Sequence, residues 1–160
     1  MQRVIDDLLE EGADEPLLRA AVQAEFEKKR AAETAWPAET DCDRLDEVFA
    51  ELNANGIIAI QNAGYTMSDG HSEVGDKLRR RDRNNVKGYC FYHGQDLERA
   101  VNGGGLMLAF GDLKNTANGK SAIGMIVKST IEKHGFVVQW NGESEKRIEV
   151  PDIDWKRRTR

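Results

Sequence analysis

The sequence predicts an α+β fold with a central sheet of about five strands, flanking helices and an N-terminal helical extension. Three observations lead to this prediction. Short apolar runs rich in β-branched residues alternate with longer segments whose apolar residues recur every three or four positions. Glycine-containing turns separate the two kinds of segment. Two final runs are joined by a short polar loop, as in a hairpin. The predicted order of the main domain is therefore β-α-β-α-β-α-β-β.

Residues 1–35 are expected to form the acidic helical extension. Apolar residues from Val4 to Leu9 have helical spacing, and Pro16 suits the first turn of a second helix. Trp36-Pro37 then ends the helix, which places the α+β domain at 36–160. We expect the extension to contribute to oligomerisation or partner binding more than to the core.

The main domain is expected to begin with a helix, because Thr40 and Asp43 form a capping-box pattern ahead of a regular apolar stripe. Ile57 to Gln61 follows as a strand that is apolar on both faces and therefore predicted to be central. The remaining predicted elements are a charged helix over 72–81, a strand over 89–93, a short helix over 96–101, a strand over 106–110, a helix over 122–134, and a hairpin of 136–140 and 146–150.

Composition restricts the class of protein. The chain has 39% hydrophobic residues and a formal net charge of −5. Its apolar runs are much shorter than a membrane span, and its first residues turn acidic at once, unlike a signal peptide. Cys42 and Cys90 have no metal-binding spacing and are too few for a disulfide scaffold. We therefore expect a cytoplasmic protein with reduced thiols and no membrane association.

Polar side chains follow two of the predicted strands, and they form the candidate site. If the strands are parallel neighbours, their following loops meet at one edge of the sheet. A histidine beside a carboxylate can serve as a general base. The catalytic candidates are His71, His93, Asp69 and Asp96, and the ligand-binding candidates are Gln61, Asn62, Tyr65 and Ser68.

The alternative for the same residues is structural: asparagine and aspartate shape turns, and serine and aspartate begin helices. A metal site is not expected, because the histidines lack a tight ligand pair such as H-x-x-x-H. No cofactor is expected either. Asn118 to Ser121 matches the end of a phosphate-binding loop, but Lys114 occupies the position where that loop requires glycine.

An RNA-binding alternative rests on Lys87 to Phe91, which approaches the basic-Gly-aromatic pattern on which bases stack. Ala59, however, occupies the place of the second aromatic platform. The basic run between Lys77 and Lys87 could bind phosphates, but a solvated helix face explains it as well. These residues therefore do not favour nucleic acid as a partner.

Three phrases carry a resemblance to a known family: Gln61 to Gly70, Gly88 to Asp96, and the terminal Asp154-Trp155. Over about residues 36–160 the chain resembles an uncharacterised bacterial family described only as a domain of unknown function. The resemblance implies a discrete bacterial cytosolic domain. It does not imply any catalytic residue, substrate or cofactor for this chain.

These observations favour a non-enzymatic protein-binding module whose partner is another protein or a second copy of the chain. Residues 1–60 carry 15 Asp and Glu against 6 Lys and Arg. Such an acidic part suggests an immunity or antitoxin role, in which it covers a basic toxin surface. The first alternative is a small hydrolase or transferase that uses His71 or His93 with Asp69 or Asp96. The second alternative is RNA binding.

Overall fold

The computed structural model describes residues 14–159, which divide into two compact units. One unit contains residues 14–38 and 156–159, and the other contains residues 39–155. The helix that the sequence predicts around Val4 to Leu9 lies outside the described residues.

The first unit is built on α1 (Glu15–Glu33), which has Pro16 in its first turn as the sequence predicts. The Asp14 side chain begins this helix by accepting a hydrogen bond from the backbone N–H of Leu17 at 3.1 Å. At its other end, Glu33 accepts hydrogen bonds from the backbone N–H and the hydroxyl of Thr159, at 2.7 and 2.8 Å. These bonds hold the pKa of the Glu33 carboxyl below its usual value.

The second unit contains a four-stranded mixed sheet and confirms the α+β class. The strands are β1 (Ile57–Ile60), β2 (Gly88–Phe91), β3 (Leu106–Asp112) and β4 (Ile148–Val150). They lie in the order β1-β2-β3-β4, with β1 parallel to β2 and the other neighbours antiparallel.

The sheet has one strand fewer than the predicted five, because residues 136–140 contribute only a single bridge between Gln139 and Glu149. The Trp140 indole N–H donates to the carbonyl oxygens of Glu143 and Lys146, at 3.1 and 3.0 Å. These contacts close the connecting loop on itself at the point where a regular hairpin ladder would continue.

Four helices accompany the sheet: α2 (Asp41–Ala54), α3 (Met67–Arg79), α4 (Gly94–Val101) and α5 (Ala117–Lys133), with a short 3₁₀ turn at Arg83–Asn85. Helices α2 and α5, with the short α4, pack on the face that carries Cys90. Helix α3 packs on the opposite face, against Phe91. The predicted capping box of Thr40 and Asp43 begins α2.

β1 is an edge strand, so the prediction that it is central is wrong. All four of its residues are buried because α2 and α3 cover its two faces. Its free backbone edge is partly satisfied by Asn53, whose side-chain amide donates to the carbonyl of Ala59 at 2.9 Å and accepts from the Ala59 N–H at 3.2 Å. A side chain thus replaces a neighbouring strand at this point and protects the edge.

Neither cysteine forms a disulfide, and both are buried inside the second unit. Burial raises the pKa of the Cys90 thiol to about 12, and Cys42 is equally enclosed. We expect neither thiol to react with Ellman's reagent under native conditions, and both to react after unfolding in denaturant. Rapid labelling of Cys90 in the folded protein would contradict the burial described here.

Candidate functional site

The loops after β1 and β2 lie side by side, as the sequence predicts for parallel neighbours. The N–H of Ala63 donates to the Tyr92 carbonyl at 2.8 Å, and the N–H of Gly94 donates to the Gly64 carbonyl at 2.9 Å. Gly64 has a φ of 58°, and a Cβ placed there would lie 2.2 Å from Cβ of Asp69. The close approach therefore requires glycine at this position.

Asp69 belongs to the first turn of α3, which begins at Met67 and not near Ser72 as predicted. The predicted loop therefore ends at Thr66, and Ser68 and His71 are helical too. The Asp69 carboxylate accepts hydrogen bonds from the N–H and the hydroxyl of Thr66, both at 2.8 Å, and from the N–H of Tyr65 at 3.2 Å. The bond from the Thr66 backbone is the main reason that the pKa of Asp69 is lowered. Asp69 is thus an ionised helix cap.

His93 and Asp96 repeat this arrangement in a buried setting at the start of α4. Their exposed fractions are 4% and 5%. The Asp96 carboxylate accepts from the His93 backbone N–H at 3.1 Å and from the Arg147 guanidinium at 2.5 Å. Nδ1 of His93 lies 3.2 Å from the same carboxylate oxygen, but the ring is not aligned for a hydrogen bond.

This geometry favours the structural interpretation of the His–Asp pair. The Asp96 carboxylate already binds two donors that hold α4 and the segment before β4 in place. The His93 ring is enclosed, so a substrate has little access to it. A general base must reach the proton that it removes, and this imidazole does not lie on an accessible surface.

None of the four ligand-binding candidates lines any of the three cavities described below. The Gln61 amide donates to Asp46 at 2.7 Å and accepts from the Tyr92 hydroxyl at 3.2 Å. Asn62 shapes the turn with a φ of 51°, and Ser68 is exposed on α3. The Tyr65 hydroxyl is 3.3 Å from Glu98, whose negative charge raises the pKa of the tyrosine.

His71 lies apart from the other candidates, in a cavity that we call the sheet-face pocket. This pocket of about 320 Å³ lies beside α3 and is lined by residues that include Met67, His71, Tyr89, Lys120, Glu145 and Arg147. The His71 ring stands edge-on to Tyr89 and Phe91, with ring centroids 5.5 and 5.2 Å away. Desolvation lowers the pKa of His71, so its ring is neutral near pH 7.

Two further cavities lie where β1 and β2 begin, at the opposite end from the strand-end loops. A cavity of about 600 Å³ is lined mainly by polar residues, among them Asn53, Arg81, Asn84 and Lys87. Its neighbour of about 520 Å³ shares Val86 and Lys87 with it and is mostly apolar. Other residues that line the second cavity include Arg83, Leu113, Lys114, Ile123 and Ile126.

The cations around these two cavities, Arg81, Arg83, Lys87 and Lys114, are called the basic end below. Within residues 14–159, no carboxylate lies within ion-pair distance of any of the four. The two acidic residues that line the same cavities have other roles. Asp82 accepts from Asn84 and Asn85 at the 3₁₀ turn, and Asp112 accepts from Thr116 at the start of α5.

Of the two aromatic residues of the RNA-binding alternative, one is covered and the other is half-buried. Phe91 is fully buried, and α3 crosses it so closely that a Cβ on Gly70 would lie 2.2 Å from the ring. Tyr89 lies beside it and contacts His71 of the same helix. No aromatic residue is among those that line the two cavities at the basic end.

Sequence reasoning missed the charged residues of the sheet-face pocket. Lys120 lies within the Asn118 to Ser121 segment, but it binds Glu145 at 2.8 Å instead of forming a phosphate loop. Arg147 reaches Asp96 across 51 positions of sequence and carries no local signal. Asn53 and Asn84 also lack a motif. Their roles follow only from how the elements pack.

Within residues 14–159, no helix is long and apolar enough to cross a membrane.

A family model described as Domain of unknown function (DUF6891) matches residues 1–159. The match includes the first 35 residues, which the resemblance seen in the sequence had left out. No curated protein and no solved structure matches the chain.

Proposed function

The chain belongs to the DUF6891 family, and we propose that it is a non-enzymatic protein-binding domain of the bacterial cytoplasm. One observation carries the proposal: the basic end presents four cations that have no carboxylate partner among residues 14–159, around one polar and one apolar cavity. The reduced, buried state of Cys42 and Cys90 supports the cytoplasmic location.

The partner surface that fits the basic end is acidic and carries an exposed apolar side chain. Lys87 borders both cavities, so one partner segment can place carboxylates near the cations and an apolar group beside Val86 and Ile126. Such a combination gives electrostatic attraction at the rim and desolvation at the centre. Leu113 is an exposed apolar residue that lines the second cavity and can extend this contact.

Binding is favoured over hydrolase or transferase activity because the carboxylates next to the candidate histidines have structural roles. Asp69 begins α3, and Asp96 begins α4 and binds Arg147. His71 is accessible, but no carboxylate in the described part of the chain forms an ion pair with its ring.

An acidic protein is favoured over RNA at the basic end because proteins that bind single-stranded RNA commonly stack its bases on aromatic side chains. The cavities there are lined by aliphatic, amide and charged groups only. The immunity or antitoxin role, with an acidic face turned to a basic toxin, draws less support. In α2, Asp41 binds Arg44 at 2.6 Å and Glu51 binds Lys133 at 2.8 Å, so these carboxylates are already engaged.

We test the proposal with a fluorescently labelled peptide of alternating Glu and Leu residues and the full chain, using anisotropy. Replacing Arg83 and Lys87 together by Gln is expected to raise Kd about tenfold, the effect of about 1.4 kcal/mol. Binding should weaken as salt is added, because the rim charges are screened. A peptide of alternating Glu and Ser should bind less tightly, because it cannot fill the apolar cavity.

The matched control replaces Arg79 and Lys128 by Gln, which removes the same charge from cations that are paired with Asp76 and Glu132. Its Kd should stay close to that of the unchanged chain. Equal weakening by both double variants would show that only net charge matters and would contradict the proposal. If a single-stranded RNA of equal charge binds more tightly than the peptide, the partner of the basic end is nucleic acid and the proposal is contradicted.

A further inference from the structure

The ion pair in the sheet-face pocket is strongly asymmetric. Lys120 and Glu145 are 2.8 Å apart, but the lysine side chain is only 18% exposed, whereas the glutamate side chain is 76% exposed. The cation is therefore part of the pocket wall, while its anion reaches it from solvent. Glu145 comes from the loop between α5 and β4. Such an exposed carboxylate gains little from the pair and can exchange with another carboxylate.

Two further residues that line the same pocket, Tyr89 and Arg147, carry hydrogen-bond donors. A Cβ on Gly111 would lie 2.5 Å from the Tyr89 hydroxyl, so the bare glycine of β3 makes room for this phenol. Nε of Arg147 is buried and has no hydrogen-bond partner, although the other end of its guanidinium binds Asp96 and the Met107 carbonyl. A buried donor without a partner costs stability, and a ligand oxygen can satisfy it.

The pocket wall also has an apolar part. Met67, Ala109 and Phe110 form this part, and Ser144 and Lys146 add further polar groups. A volume of about 320 Å³ is at the lower end of the range for small-molecule sites. The occupant that these features fit has one carboxylate and a short apolar tail.

We propose that the sheet-face pocket binds a small organic carboxylate, which replaces Glu145 as the partner of Lys120. Glu145 then acts as an internal competitor that keeps the lysine paired when no ligand is bound. This site is independent of the basic end, because the two share no lining residue.

The test is an NMR titration of the full chain with sodium butyrate, following the ring protons of His71 and Tyr89. Sodium chloride at equal concentration controls for ionic strength. Butanol lacks the carboxylate and acetate lacks most of the tail, so both should shift these signals less. We expect saturable shifts with butyrate that are confined to the pocket.

Four variants distinguish binding at this pocket from a general effect of charge. Glu145→Gln removes the competitor and should tighten butyrate binding by about fivefold, whereas Lys120→Gln should abolish it. Lys120→Arg should retain binding. Glu132→Gln is the matched control, because it removes an exposed carboxylate that pairs with Lys128 at 3.8 Å and that does not line the pocket, and it should change nothing.

The proposal is overturned if butyrate shifts no pocket signal in either the unchanged chain or Glu145→Gln. It is also overturned if Glu145→Gln and Glu132→Gln have equal effects, or if butanol binds as well as butyrate. Should Lys120→Gln fail to fold, as its amide spectrum would show, the two glutamate variants decide the outcome. Failure here leaves the binding test at the basic end unaffected.

Discussion

Replacing Asp96 by Asn is expected to lower the free energy of unfolding by about 3 kcal/mol. The variant loses the carboxylate that caps α4 and leaves the Arg147 guanidinium without its charge partner in a mostly enclosed position. This loss lies at the low end of what breaking a buried ion pair costs, because Arg147 is partly exposed to water. Urea unfolding followed by circular dichroism measures the change.

The matched control is Asp69→Asn, which removes the equivalent capping carboxylate from α3. Asp69 is exposed and has no arginine partner, so its loss should cost clearly less. Equal losses for the two variants would contradict the role assigned to the Asp96–Arg147 pair. A fully stable Asp96→Asn variant would reopen a functional interpretation of the buried His93 and Asp96.

Replacing Gly70 by Ala is expected to destabilise the second unit by about 2 kcal/mol through overpacking. A Cβ at this position would lie 2.2 Å from the ring of Phe91, which is fully buried and cannot move aside freely. Thermal or urea unfolding reports the loss. The double variant with Phe91→Leu should recover part of the loss, because leucine leaves space for the new methyl group.

Gly75→Ala is the control on the same helix. Its Cβ would meet only the guanidinium end of Arg79, at an ordinary contact distance of 3.7 Å. Because alanine favours helix more than glycine does, we expect stability to rise by about 0.5–1 kcal/mol. Opposite signs for Gly70→Ala and Gly75→Ala follow from the packing of α3 on Phe91. Two losses of similar size would contradict that packing.

The parts of the fold that depend on local signals could be predicted from the sequence. The Thr40 and Asp43 pattern predicts the start of α2, and Gly135 predicts the end of α5, where the structure has a φ of 84°. The same logic could have found the start of α3, since Thr66 and Asp69 form an identical pattern. The predicted start at Ser72 was wrong because that pattern was assigned to a loop.

Features that depend on distant contacts could not be predicted. β1 has the composition of a central strand, yet two covering helices and the Asn53 amide allow it to be an edge. The loops after β1 and β2 meet as predicted. The sequence could not show that Arg147, which precedes β4, binds Asp96 at the start of α4. Whether the cations of the basic end have carboxylate partners depends likewise on which carboxylates form hydrogen bonds or ion pairs with other residues.

The most direct test of the proposed function is to map where the Glu and Leu peptide binds, using amide chemical shifts of the full chain. The account predicts that perturbed amides cluster at residues 81–88 and 112–126, around the two cavities of the basic end. The strand-end segments 62–71 and 93–96 should stay unchanged. A footprint on those segments, or shifts spread evenly over the surface, would contradict the proposal that the basic end is the binding site.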